Sequence, residues 1–195
     1  PQQPDGSSKH FFIADNPDVP VVQMDSVIGN KSGKVLLTMF SQNTNLLLAF
    51  LRDHNTARSV LDVFNDLYAM FGRETYCRLF PVILTDRGSE FSNPVPIEQD
   101  ENDELRSLVF YCNPGAPYQK GGIEVAHELV RRVLPKGKSF DDLQQEDIDL
   151  MLSHINSYKR GKLNSRSAYQ LFNFIYGDDI LPKLNIREIE ANDIV

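Results

Sequence analysis

Val21-Val22-Gln23-Met24-Asp25-Ser26-Val27-Ile28 is a run of strand-forming residues with an aspartate in its middle. Valine and isoleucine suit a pleated, half-buried surface, whereas aspartate is depleted in strands and costly to bury unless exposed or paired. The run therefore reads as a central strand that carries a carboxylate for a reason other than packing. After it, Gly29-Asn30-Lys31-Ser32-Gly33 is a hairpin-type connection, Lys34 to Phe40 a second apolar strand, and Asn45 to Leu51 a third. Short turns between these strands predict an antiparallel meander.

Thr56 is placed to cap a helix whose apolar face is Val60, Leu61, Phe64, Leu67, Tyr68 and Phe71, and Gly72 is expected to stop it. Pro81 to Thr85 is a continuous apolar run, as in a strand buried on both faces. A strand, a helix and another buried strand predict a crossover and a parallel pair. Residues 92–107 read as an acidic loop with a short helix around Asp100–Leu105, and Ser107 to Tyr111 as a fifth strand. The Gly/Pro-rich loop 114–122 leads into a helix from Ile123 to Leu134. Two more helices are expected within Phe140–Tyr158 and Ser165–Tyr176. The pattern is α/β, divided into a flexible lead-in (1–18), a core (19–139) and a C-terminal helical extension packed on it (140–195).

A hydrophobic fraction of 41% fits a globular protein. No apolar stretch approaches the roughly 20 residues that cross a bilayer, and the polar start shows no secretory signal. The missing initiator methionine points to an excised fragment. Cys77 and Cys112 form no zinc-spaced cluster and read as reduced thiols. The net charge of −7 argues against indiscriminate nucleic-acid binding by the whole surface. Residues 111–139 differ, with Lys120, Arg131, Arg132, Lys136 and Lys138 against Glu124 and Glu128, a net +3.

That basic segment surrounds one of three singular carboxylates. Asp25 interrupts its strand, Asp86 ends the buried run, and Glu124 opens the helix after the Gly/Pro loop. Phosphoryl transfer needs a deprotonated nucleophile and a neutralised leaving oxygen, which two Mg²⁺ ions about 3.5–4 Å apart supply. Mg²⁺ takes oxygen ligands, so a few carboxylates on rigid elements suffice. Each residue has a plainer reading. Asp86 in Thr85-Asp86-Arg87-Gly88 suits a turn, and Glu124 suits the helix dipole. Arg131, seven positions after Glu124, shares its helix face and can reach a phosphate; His127 and Glu128 lie on the same side. For His127 a polar surface role is the simpler assignment, and for Glu90 a structural one beside Phe91.

Three blocks carry a resemblance: Val22-Gln23-Met24-Asp25-Ser26-Val27-Ile28-Gly29, Leu84-Thr85-Asp86-Arg87-Gly88-Ser89-Glu90-Phe91, and Pro114 through Gly122-Ile123-Glu124. In this order and at this spacing they resemble the catalytic core of DDE transposases and integrases. Val133-Leu134-Pro135-Lys136-Gly137-Lys138-Ser139-Phe140 and the tail around His154–Tyr158 and Arg166–Phe172 are similar to bacterial insertion-sequence transposases of the IS-thirty type. The likeness runs from about residue 20 to 176. It implies an RNase H-like fold, a five-stranded mixed sheet flanked by helices, with Asp25, Asp86 and Glu124 as catalytic metal ligands for two Mg²⁺ (or Mn²⁺) ions. It also implies cleavage of double-stranded DNA at transposon terminal repeats and transfer of the freed 3′-hydroxyl to target DNA.

Lys120, Arg131 and Arg132 are the expected DNA contacts, the active form a homodimer or larger, and the setting bacterial cytoplasm near the nucleoid. Two features depart from the family pattern. Arg87 stands where Asn is more frequent, and Ile123 and Val125 flank the glutamate instead of Asn. The upstream helix-turn-helix region of the family is missing from this sequence. A plain RNase H-like nuclease or resolvase, or a non-catalytic DNA-binding or assembly module, are the alternatives.

Overall fold

The computed structural model describes residues 12, 15–30, 32–113 and 117–190. Most of the expected lead-in, Lys31 of the hairpin, residues 114–116 of the Gly/Pro loop and residues 191–195 lie outside them. The five expected strands form one sheet: β1 (Val21–Ile28), β2 (Val35–Ser41), β3 (Leu47–Arg52), β4 (Val82–Thr85) and β5 (Leu108–Tyr111). Their order is β3-β2-β1-β4-β5. The meander is antiparallel, with Asp25 opposite Thr38, while β1–β4 and β4–β5 are parallel. Gln23 pairs with Leu84. Continuing that register by two residues sets Asp25 beside Asp86, so the crossover brings two carboxylates 61 positions apart side by side, one within β1 and one just past the end of β4.

Helix α1 (Ala57–Leu79) supplies that crossover, and Thr56 caps it in a reciprocal box with Ser59. Gly72 does not end it. Its φ of 72° breaks the helix locally, and the chain resumes helical geometry to carry Tyr76 and Leu79 into the core. Glycine tolerates that left-handed kink, and burial of two large side chains outweighs the interruption. The short helix α2 falls at Val95–Glu98 instead of 100–105. Asp100 explains the difference: its Oδ1 accepts from the amides of Asn102 and Glu104, a turn that competes with helix.

Helices α3 (Gly121–Val133) and α4 (Gln145–Ser157) follow, then a small hairpin β6 (Lys159–Arg160)/β7 (Arg166–Ser167) that the sequence did not announce, and α5 (Ala168–Tyr176). Phe140 is buried but stands ahead of α4, where Asp141 accepts from the Lys34 amide and fixes the loop instead. Side chains of the sheet, α1, α3, α4 and α5 share one apolar cluster. A smaller one gathers Val21, Val82, Leu84 and Phe110, with Phe12 stacked on Phe110 at 5.7 Å. Among the described residues no helix is long and apolar enough to cross a membrane.

Candidate active site

Helix α3 is docked on β1 and β2 by polar rungs. Gln23, two residues before Asp25 and on the same face of β1, is buried. Its Oε1 accepts from the Ile123 amide at 2.7 Å, and its Nε2 donates to the Gln119 carbonyl at 3.1 Å. One turn on, His127 Nε2 meets Thr38 Oγ1 at 2.8 Å, and that hydroxyl donates to the Asp25 carbonyl at 3.0 Å. A further turn on, Arg131 Nη2 donates to the Ile28 carbonyl at 2.9 Å. Four helical residues rise about 6 Å and two strand residues about 6.6 Å, so positions 123 and 127 keep step with Gln23 and Asp25, and the long Arg131 side chain reaches the carbonyl three residues further on. Gly122 allows the close approach: a Cβ there would lie 2.5 Å from Phe40 Cε1 and 3.0 Å from Gln23 Oε1.

This docking delivers Lys120, from the turn just ahead of α3, between the two aspartates. Its Nζ lies 3.0 Å from Asp25 Oδ2 and 3.4 Å from Asp86 Oδ2. The other oxygens are bound alike: Asp25 Oδ1 accepts from the Ser26 amide at 2.8 Å and Asp86 Oδ1 from the Gly88 amide at 3.0 Å. Asp86 thus makes the turn that was its rival role and still offers an oxygen to the site. Lys120, an expected DNA contact, is 6% exposed and sits inside the constellation.

Glu124 is exposed in the first turn of α3, one turn past Lys120. Among the described residues no three His, Cys, Asp or Glu side chains are gathered closely enough for one metal ion. The structure brings Asp25 and Asp86 together on Lys120, and among the described residues Glu124 does not complete a three-carboxylate group with them. Arg131 spends its guanidinium on the Ile28 and Leu134 carbonyls, while Arg132, Lys136 and Lys138 are exposed beyond it. Arg87 stacks on the Tyr111 ring at 5.2 Å.

His127 is more than a surface residue. Thr38 gives its one proton to the Asp25 carbonyl, so its oxygen accepts from His127 Nε2–H. Burial pushes the imidazole below its ordinary value; the Asp25 charge works upward, and those of Lys120 and Arg131 downward. The donors that meet at the centre are carboxylate oxygens, and two of them already converge on one cation. That set suits a hard divalent ion such as Mg²⁺ or Mn²⁺. Sequence reasoning missed Gln23 and Thr38. The available signal was an amide two residues before the aspartate in an apolar strand, which must find partners if buried.

No family model matches the chain. It is 29% identical over 151 residues to a putative integrase, ORF3, of Spiroplasma virus SpV1-R8A2 B, covering 77% of this chain and 45% of the relative. The transposase for insertion sequence element IS4351 of Bacteroides fragilis is 23% identical, with 77% and 44% covered. Transposase InsI for element IS30A of Escherichia coli strain K12 is 22% identical, with 75% and 36% covered. The chain therefore spans less than half the length of these relatives. Among solved structures, one chain of the simian T-cell lymphotropic virus intasome in complex with PP2A regulatory subunit B56 gamma superposes with a TM-score of 0.56 at 17% identity, over 88% of this chain and 58% of that one. The catalytic core domain of BIV integrase superposes at 0.50 and 20% identity, over 80% and 92%. The chain is thus similar in sequence to integrases and insertion-sequence transposases, the IS30 type included, and shares the RNase H-like fold of an integrase catalytic core.

Proposed function

We propose that this chain is the catalytic core of a DDE-type DNA transposase, a polynucleotidyl transferase that cuts at transposon ends and joins the freed 3′-hydroxyl to target DNA. The observation that carries this reading is the pair of aspartates, Asp25 within β1 and Asp86 just past β4, sharing one cation, Lys120 Nζ, at 3.0 and 3.4 Å. Asp25 and Asp86 would hold divalent metal, Mg²⁺ or Mn²⁺ and two ions in all, with Glu124 as the third ligand. When bound, the metal supplies charge neutralisation at the reacting phosphate and acidifies the attacking hydroxyl. The backbone amides of Ser26 and Gly88 fix one oxygen of each aspartate, which leaves the other aimed at the centre. The Gln23 clamp holds the start of α3, and with it Glu124, against β1.

Lys120 we assign to the phosphate of the bound strand, since its ammonium is already at the centre. Arg132 is exposed and offers charge to flanking phosphates. Arg131 does so at the rim while bracing the end of β1. The substrates are terminal-repeat and target duplexes, and at least two copies act together because two ends must be joined.

The test is a joining assay in Mn²⁺ with a duplex carrying a recessed 3′-hydroxyl and a second duplex as target. Joined product is expected from the wild-type chain. Asp25→Asn and Asp86→Asn should lower it about 10³-fold or more, the several kcal/mol that a metal's charge contributes. Their melting temperatures should hold. Cut strands without joined product would move the assignment to a nuclease, and full activity in either variant would sink it.

A further inference from the structure

Arg52 ends β3 with 4% exposure, an ionised side chain inside the core that the chemistry above leaves unused. Its Nη2 donates to Ser26 Oγ at 3.0 Å and to Asn55 Oδ1 at 2.9 Å, and its Nη1 to Ser59 Oγ at 2.9 Å. Asn55 Nδ2 in turn donates to Glu90 Oε1 at 3.0 Å. Arg52 Nε is buried with no partner among the described residues. Burial pushes the guanidinium down to about 10, and the Glu90 charge opposes that fall. A buried charge with an orphaned donor is poor stabilisation, since a packed apolar side chain commonly serves a core as well or better.

Both ends of this network fall on the aspartates. Ser26 follows Asp25, faces the other side of β1, and its amide holds Asp25 Oδ1. Glu90 stands in the turn Ser89–Phe91, four residues after Asp86. A Cβ built on Gly88 would lie 2.7 Å from Glu90 Oε2 and 3.2 Å from Asp86 Oδ1, so the two carboxylates flank one glycine. The ladder between β1 and β4 stops at Gln23–Leu84. Asp86 therefore lies beyond that ladder, and the shared Lys120 ammonium offsets its repulsion from Asp25 without fixing its backbone.

We propose that Arg52, Asn55 and Glu90 form a positioning unit, on the side of β1 opposite α3, that fixes Asp86 relative to Asp25 and so sets the metal-binding geometry. The proposal rests on the metal-dependent reading of the site. Arg52 anchors the β1 end through Ser26; Asn55 carries that anchor to Glu90 and thus to the loop that begins at Asp86. Glu90 acts through its bond to Asn55 and is not itself a ligand.

The test uses the full chain and Mn²⁺ alone as probe, by calorimetry, with kcat and KM of DNA joining measured separately. Asn55→Asp keeps an acceptor for Arg52 but sets an anionic oxygen against Glu90. Glu90→Gln keeps the acceptor that Asn55 uses, and Glu90→Ala removes it. Asn55→Asp and Glu90→Ala should weaken Mn²⁺ binding about tenfold, the usual effect of losing a partner that orients a metal ligand. Both should lower kcat with KM for DNA unchanged, and Glu90→Gln should stay near wild type in both readouts. Wild-type Mn²⁺ affinity in Asn55→Asp overturns the proposal, as does a loss in Glu90→Gln equal to that in Glu90→Ala. Should Asn55→Asp fail to fold, the Glu90 pair decides alone. A wild-type chain that binds no Mn²⁺ defeats the parent reading, and this one with it.

Discussion

Helices α3 and α4 both meet the sheet through side-chain amides bonded to backbone, and to opposite ends. At α4 the amides sit on the helix and close the sheet's edge. Asn156 bonds both the amide and the carbonyl of Leu47, at 2.9 and 2.8 Å, and Gln145 bonds the Leu51 amide and the Ala49 carbonyl, at 2.8 and 3.0 Å. β3 is an outer strand, so these bonds complete its open side with neutral groups. At α3 the amide sits on the strand and clamps the helix. What that clamp leaves beside it is two carboxylates tied to a single lysine. A neutral amide bridge has no ready competitor in the core, whereas a compact ammonium on a flexible stem can be displaced by another cation. The first arrangement holds the fold; the second keeps charge available for exchange.

The largest effect expected from this contrast is on stability, at α4. Asn156→Ala strands both polar groups of Leu47 where Asn156 is fully buried. Two lost bonds with unsatisfied partners should cost about 2–4 kcal/mol. A urea titration measures that cost, and the Mn²⁺ affinity of the folded fraction should not change. A variant that binds Mn²⁺ poorly at undiminished stability would erase the distinction between the two helices.

Gly122→Ala strikes the other clamp and should be milder for the fold. The new methyl would meet Phe40 and Gln23, displacing the start of α3 at about 1–3 kcal/mol. Lys120 and Glu124 move with that turn, so Mn²⁺ affinity should fall together with stability. Calorimetry that shows affinity preserved would mean that the clamp serves the fold alone, as at α4.

Much of this arrangement was legible in the residues. The five strands and their parallel crossover followed from apolar runs and turn chemistry, and the approach of Asp25 to Asp86 follows from register once β1 and β4 are paired. What escaped depended on contacts between distant segments. Nothing near Gln23 announces that its partners lie 96 and 100 residues away. A count of charges records the sign of Lys120 and not its place, so its position between Asp25 and Asp86 was not foreseen. Gly72 looked like a terminus because the gain from burying Tyr76 and Leu79 beyond it is not local. His127 looked plain for the same reason, its partner Thr38 standing on another element.

His127 gives the smallest effect and separates the two helices by pH. Its imidazole sits below the ordinary value of 6.5, chiefly through burial. A base depressed in the folded chain contributes stability that is fully present above 6.5 and is lost as pH falls through the folded value, because the unfolded chain then binds the proton more readily. The melting temperature of the wild type should therefore decline as pH drops below about 6.5. His127→Asn can still donate to Thr38 but cannot charge, so it should remove about 1–2 °C of that decline. Asn156 and Gln145 do not titrate, so replacing Asn156 should lower the whole curve without changing its slope in this window. Melting curves between pH 5 and 7.5 for wild type and both variants make the comparison. Equal slopes in wild type and His127→Asn would show that the ring is not held neutral at the seam between α3 and Thr38.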